Sequence, residues 1–336
     1  MTATVMLLLL ALGIVYLAAE LFTNALEHIG ERLGVSEGVT GSVFAAVGTA
    51  MPETIVPMVA ILAGGAAESV NRDVGLGAIL GAPFMLGTLS FGLMAFFAGR
   101  KRGWHARFKP ESGGLNRDLR VFMLAFSLVI GAALLPEGWE SAKIAFATAL
   151  FLTYFLYVLK TIQASRALVD EGHSTEADSP LYVSRLLGDG MPAVVLQLLC
   201  GLTLLVVGAR VFVDGVQQAS ALFGVSALVI ALLVVPVATE LPEKVNSILW
   251  IRRGRDTLAF GNITGAMVFQ STIIPAAGML LMPWHFSDIH AAAAVLLAVL
   301  GVAWLWLISR ASWFRPIALL LNAGLYLLFV AVVILY

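Results

Sequence analysis

Residues 18–53 (AAELFTNALEHIGERLGVSEGVTGSVFAAVGTAMPE) align without a gap onto residues 208–243 (GARVFVDGVQQASALFGVSALVIALLVVPVATELPE) at an offset of 190. Ten positions are identical, among them Gly34/Gly224, Val35/Val225, Ser36/Ser226, Thr49/Thr239, Pro52/Pro242 and Glu53/Glu243. Apolar stretches match one another by composition alone. A shared Gly-Val-Ser turn and a shared Thr-x-x-Pro-Glu are polar punctuation that apolarity does not supply, so the chain reads as two copies of one unit.

The residues around these copies say what solvent surrounds them. Of 336 residues 60% are hydrophobic and 12% charged, and the mean hydropathy is +0.94. Ordinary soluble domains carry about 25% charged residues, so the bilayer is the expected environment. A spanning helix takes about 20 mostly apolar residues. Ten runs qualify, near 3–24, 39–64, 74–98, 120–136, 143–163, 192–212, 225–251, 257–283, 289–308 and 316–335. No Lys or Arg precedes Arg32, so the apolar run Met6–Leu12 lacks the basic flank of a signal peptide and belongs to the first span.

Charge tests this count, because cytoplasmic loops collect Lys and Arg. Placing the loop with Arg100, Lys101 and Arg102 inside puts sixteen Lys and Arg in cytoplasmic loops and leaves Arg72, Lys143 and Arg210 outside, with Lys244 alone inside a span. Ten spans with both termini extracytoplasmic follow, as in an inner membrane protein of a prokaryotic cell. Five spans per copy is an odd number, so the second copy enters from the opposite side. The expected fold is an all-α polytopic membrane protein of ten transmembrane helices in two inverted five-helix repeats, 1–163 and 192–336, joined by a cytoplasmic linker, 164–191.

Within the spans, carboxylates are expensive and therefore mark function. Glu53 and Glu243 each follow a proline in mid-span, and that proline cannot donate to the carbonyl four residues earlier, which frees those of Gly48 and Ala238. Carboxylates, freed carbonyls and the hydroxyls of Thr49 and Thr239 are the oxygens a hard cation takes as ligands. Inverted symmetry would bring both elements to one site; the bland alternative is a structural kink with each glutamate paired to a neighbour. Spans three and eight carry GAILGAPF from Gly77 and GNITGAMVFQ from Gly261. Their glycines suit close packing against spans two and seven, and Asn262, Thr264 and Gln270 would add uncharged oxygens. Glu240 lies three residues before Glu243 and four before Lys244. It could be a third carboxylate facing the site, where crowding favours protonation of one group, or an i,i+4 partner of Lys244. Lys244 could also reach the site itself as a built-in cation.

The GTAMPE stretch from Gly48, the ATELPE stretch from Ala238 and the following GAILGA and GNITGA resemble the paired α-repeats of the sodium/calcium exchanger family, within the calcium/cation antiporter superfamily. The likeness covers both repeats. It implies that Glu53 and Glu243 bind calcium in the middle of the membrane and that Thr49 and Thr239 contribute hydroxyl or carbonyl oxygen. The chain also departs from the family. Ala50 and Glu240 stand where Ser usually follows Gly-Thr, Ala82-Pro83 and Ala266-Met267 where Ser-Asn usually follows Gly, and Leu86 and Gln270 at an Asn or Asp position. In family members those groups hold sodium or a protonatable carboxylate, so the departures bear on the coupling ion.

Other classes find little support. The lone Cys200 permits no disulfide or cysteine metal site within one chain, and five histidines scattered near loops do not make a zinc site. The acidic stretch at 164–191 lacks EF-hand spacing. No nucleophile motif, phosphate loop or HExxH occurs, and no basic patch points to nucleic acid. The expectation is therefore no enzyme and no cofactor, but an alternating-access antiporter of calcium or a related divalent cation. Its partners would be lipid, the divalent ion and a sodium or proton counter-ion. The alternatives are a proton-coupled divalent exchanger and a non-transporting sensor or assembly protein on the same fold.

Overall fold

The computed structural model describes residues 2–32, 50–62, 68–169, 179–286 and 288–335; these are helical, with no strand among them. Helix α1 covers Thr2–Arg32, α2 Met51–Leu62 and α3 Glu68–Met85, which continues through a π-helical turn at Leu86–Ser90 into α4, Phe91–Arg102. Then follow α5 (Ser112–Ala133), α6 (Glu140–Val169), the short α7 (Ser184–Leu187) and α8 (Met191–Phe223). The chain closes with α9 (Ala227–Thr239), α10 (Leu241–Arg252), α11 (Asp256–Leu281), α12 (Ile289–Ser309) and α13 (Pro316–Leu335). Among the described residues seven helical stretches are long and apolar enough to cross a membrane, and Met51–Leu62 and Ala227–Val237 are shorter apolar helices.

The differences from the expected spans have local causes. The run 225–251 is two helices, broken at Glu240 (φ −97°, ψ 13°). Pro242 has no N–H to donate to the carbonyl four residues back, so the helical hydrogen-bond ladder loses a rung where the chain breaks. The expected span 120–136 is displaced to Ser112–Ala133, because Glu111 caps the start: its carboxylate accepts from the Gly113 and Gly114 amides at 2.6 and 2.5 Å. The π turn widens the backbone at Gly87, whose carbonyl accepts from the buried Asn322 side chain at 2.7 Å; the same amide group donates to the Gly301 carbonyl at 3.0 Å. The expected linker 164–191 begins inside α6 and contains α7.

Two packing seams organise the bundle. On α8, Gly201, Gly208 and Gly215 recur every seven residues, or two turns, and lie against Phe22, Val15 and Leu8 of α1, which also step by seven. A Cβ on Gly201 would stand 2.9 Å from the Phe22 backbone nitrogen, so the seam requires the missing side chains. The partners descend along α1 as the glycines ascend along α8, so the two helices run antiparallel. Between α3 and α9 the rungs are Gly77 on the Leu228 carbonyl and Gly81 on the Leu232 carbonyl, where a Cβ would sit at 2.5 and 2.6 Å. Here both numbers rise together and the helices are parallel. The largest apolar cluster draws on α3–α6 and α9–α13 and contains no residue of α1 or α8. The α1/α8 pair meets the rest through smaller clusters around Phe212 and Phe22.

One end of the bundle gathers three loops. Arg102 pairs with Asp256 at 2.5 Å, the Lys109 amide donates to the same carboxylate at 2.7 Å, and the Phe108 amide donates to the Phe314 carbonyl at 3.0 Å. Residues 100–109, 252–256 and 310–315, the most basic loops, thus share a face. At the other end the Trp284 indole donates to the Val129 carbonyl at 3.2 Å.

Candidate cation site

The two aligned segments build the same local structure at their carboxylates. Helix α2 starts at Met51 after a turn at Ala50, and α10 starts at Leu241 after a turn at Glu240; Met51 and Leu241 are 190 residues apart, as are Pro52 and Pro242, and Glu53 and Glu243. Each proline thus occupies the first turn of a helix, where its missing N–H costs nothing. Each glutamate stands in the same turn, at the positive end of the helix dipole. Glu53 and Glu243 are 3% and 5% exposed. Glu53 lies within electrostatic reach of Glu243, Glu240 and Lys244.

Among the described residues neither Glu53 carboxylate oxygen, nor Oε1 of Glu240, has a donor in good hydrogen-bond geometry. Ionised oxygens in that position favour a cation strongly. No three His, Cys, Asp or Glu side chains among the described residues converge as a ready cage for a metal. A site here would be completed by backbone and hydroxyl oxygens around the acids. Thr239 suits this: its hydroxyl donates to the Val235 carbonyl at 3.1 Å, which turns its lone pairs outward. Ala238 lies in the last turn of α9, where carbonyls lose their helical donors. Gly48 and Thr49 lie outside the described residues.

Glu240 is fully buried and its Oε2 pairs with the Lys244 ammonium at 2.8 Å; Lys244 also donates to the Pro236 carbonyl at 2.8 Å. Of the readings open for Glu240, the structure has the ion pair. Gln270 from α11 lies beside Glu240.

Several polar residues do other work than the sequence suggests. Asn262 donates to the Glu243 backbone carbonyl and to Ser247 Oγ, both at 3.0 Å, and so fastens α10 to α11. Thr264 Oγ1 lies 2.7 Å from Asp118 Oδ2 and 3.0 Å from the Phe260 carbonyl, with its one proton directed at this pair, away from the glutamates. Gly261 and Gly265 of α11 do not pack as the glycines of α3 do: a Cβ added to Gly261 would meet no described atom within 4 Å, and one added to Gly265 only the Tyr157 hydroxyl at 3.9 Å. They line a cavity instead.

That cavity, of about 430 Å³, runs from Pro110 and Glu111 at the basic face past Asp118, Tyr157 and Gly265 to Glu243, Ala50 and Gln270. Asp118 on its wall is a residue that sequence reasoning misses. It is buried, accepts from Thr264, and lies beside Arg117. Its carboxylate is the signal for it, but the expected span begins at Arg120, which leaves Asp118 in a loop.

The chain matches the sodium/calcium exchanger protein family over residues 3–163 and 193–335. A relative in Escherichia coli (strain K12), inner membrane protein YrbG, is 27% identical over 278 residues, covering 82% of this chain and 79% of its own. Among solved structures, the H+/Ca2+ exchanger CAX has a TM-score of 0.69 at 18% identity, covering 99% of this chain and 86% of that one. The sodium-calcium exchanger NCX_Mj has a TM-score of 0.58 at 21% identity, over 98% of both chains. With a family match across nearly the full length and this helical fold, the chain belongs to the sodium/calcium exchanger protein family of membrane antiporters.

Proposed function

We propose that the protein exchanges calcium, or a related divalent cation, for a monovalent counter-ion by alternating access at a site made by Glu53 and Glu243. The observation that carries this is the pair of equivalent helix starts, Met51-Pro52-Glu53 and Leu241-Pro242-Glu243, with both carboxylates buried and Glu243 lining the inner end of a cavity. The reading includes ten spans in two inverted repeats, with Gly48, Thr49, Thr239 and Ala238 completing the ligand set. Its support is that α1 and its repeat counterpart α8 run antiparallel, as inversion demands, and that α3 and α9 run parallel, as ten alternating spans demand. The basic loops at one face make that face cytoplasmic, so both termini are extracytoplasmic and the cavity opens inward. The α1/α8 pair, absent from the main apolar cluster, is the part that rocks.

A second reading, exchange for protons rather than sodium, is favoured by the alanines. Ala50 and Ala82 are buried and Ala266 lines the cavity, in places where a methyl group cannot ligate sodium. Under this reading Glu53 and Glu243 take up protons as the divalent ion leaves. The test is calcium flux in proteoliposomes under a sodium gradient at symmetric pH and, separately, under a pH gradient without sodium. Flux under the pH gradient alone selects the second reading, flux under sodium alone the first. No flux under either removes the antiport proposal in favour of a non-transporting role.

A further inference from the structure

The charges around the cation site are unequal between the repeats. Ala50 and Thr54 of the first copy correspond to Glu240 and Lys244 of the second. In the first copy the Thr54 hydroxyl donates to the Ala50 carbonyl at 2.8 Å, a neutral contact that closes the turn. In the second copy a carboxylate and an ammonium have both been added. The Lys244 ammonium is 7% exposed and held between two oxygens, Glu240 Oε2 and the Pro236 carbonyl, each at 2.8 Å. A carboxylate and a carbonyl at a helix break are ligands of the kind that hold small cations.

The charges sum simply. Glu53, Glu240 and Glu243 are all buried, and among the described residues the one cationic side chain beside them is Lys244. Three carboxylates against one ammonium leave two negative charges. Uncompensated charge in a low-dielectric interior is costly, so the site is balanced by one divalent cation or by two monovalent ones. Without Lys244 a third monovalent charge would be needed.

We propose that Lys244 is a tethered cation of the transport site, taking the place of one monovalent counter-ion, so that one divalent ion exchanges for two monovalent charges with no net charge moved across the membrane. This rests on the reading that Glu53 and Glu243 hold the transported ion. Glu240 is the anchor that keeps the ammonium in place. The pair is a specificity device that sets stoichiometry.

The full chain in proteoliposomes tests this through the calcium accumulation ratio at steady state, under fixed sodium or pH gradients, with a potassium diffusion potential of either sign imposed by valinomycin. Moving one net charge through 100 mV changes that ratio about fiftyfold. The wild type is expected to change less than twofold. Lys244→Met, which leaves three carboxylates, is expected to become potential-dependent by roughly that full factor. Glu240→Gln/Lys244→Met, which removes both charges, is expected to return to less than twofold. A wild type whose ratio follows the potential overturns the proposal, as does a Lys244→Met protein as insensitive as the wild type. Should Lys244→Met fail to fold, the wild-type measurement and the double variant still decide: a potential-dependent double variant overturns the charge balance. A failure of the underlying site assignment looks different, as calcium uptake that survives Glu53→Gln.

Discussion

At the scale of single residues, the proposed site depends on two carboxylates whose surroundings make charge expensive. Glu53 and Glu243 stand in the first turn of equivalent helices, buried beside a third acid and a lysine. A glutamine there keeps shape and hydrogen-bonding capacity but removes the charge a divalent ion needs. Glu53→Gln and Glu243→Gln are each expected to reduce calcium flux at least a hundredfold, while the midpoint of thermal unfolding in detergent stays within a few degrees of wild type or rises. Flux within threefold of wild type in either variant would refute the assignment. Both glutamates are legible from the sequence, because a proline-carboxylate pair repeated at one offset has no apolar explanation. Asp118 is not, since a helix start built on Ser112-Gly113-Gly114 carries no helical signal of its own and is set by the Glu111 cap. The roles of Asn262 and Thr264 are also hidden: a polar side chain in a span announces that it needs a partner, but not which.

At the scale of helices, the proposed rocking would divide the seams between them into those that move and those that stay. Along α1 and α8 the glycines at 201, 208 and 215 make a contact in which each rung repeats the last. The contact between α8 and the core includes a hydrogen bond from Gln217 to Asn71 of α3. If α1 and α8 rock together, a link within the pair is harmless and a link from the pair to the core is not. In a Cys200→Ser background, cysteines at Leu12 and Val211 joined by a short bifunctional thiol reagent are expected to keep at least half of the flux. Cysteines at Asn71 and Gln217 joined in the same way are expected to lose more than nine-tenths of it, with recovery on cleaving the linker. Equal loss from both links would show that α1 and α8 slide past one another. Under that proposal the α3/α9 seam belongs to the stationary part. Gly81→Val, with its Cβ directed at the Leu232 carbonyl, should destabilise the protein by about 1–3 kcal/mol, as overpacking does, measured as a lowered unfolding midpoint.

At the scale of the whole molecule, the proposed orientation rests on the loops. Lys101 and Arg253 are exposed at the face where Arg102 meets Asp256, and Glu137 is exposed in the loop between α5 and α6. Single cysteines at Lys101 and Arg253, again without Cys200, are expected to react with an impermeant maleimide only from the cytoplasmic side, and one at Glu137 only from outside. Labelling of Lys101 and Arg253 from opposite sides would break the inverted-repeat reading. Much of this architecture can be read in advance, because membrane insertion is governed by quantities local to the chain: the length of apolar runs, the position of Lys and Arg, and the repeat of one motif. The same locality marks Glu53, Glu243 and the broken helix at Pro242. What the sequence leaves open are the pairings among groups distant in the chain or free to choose between neighbours. Only the folded bundle turns Gly261 and Gly265 toward a cavity, gives Thr264 to Asp118, and puts the Lys244 ammonium between Glu240 and the Pro236 carbonyl. A buried polar group takes whichever partner the packing brings within about 3 Å, and that choice is made by tertiary structure.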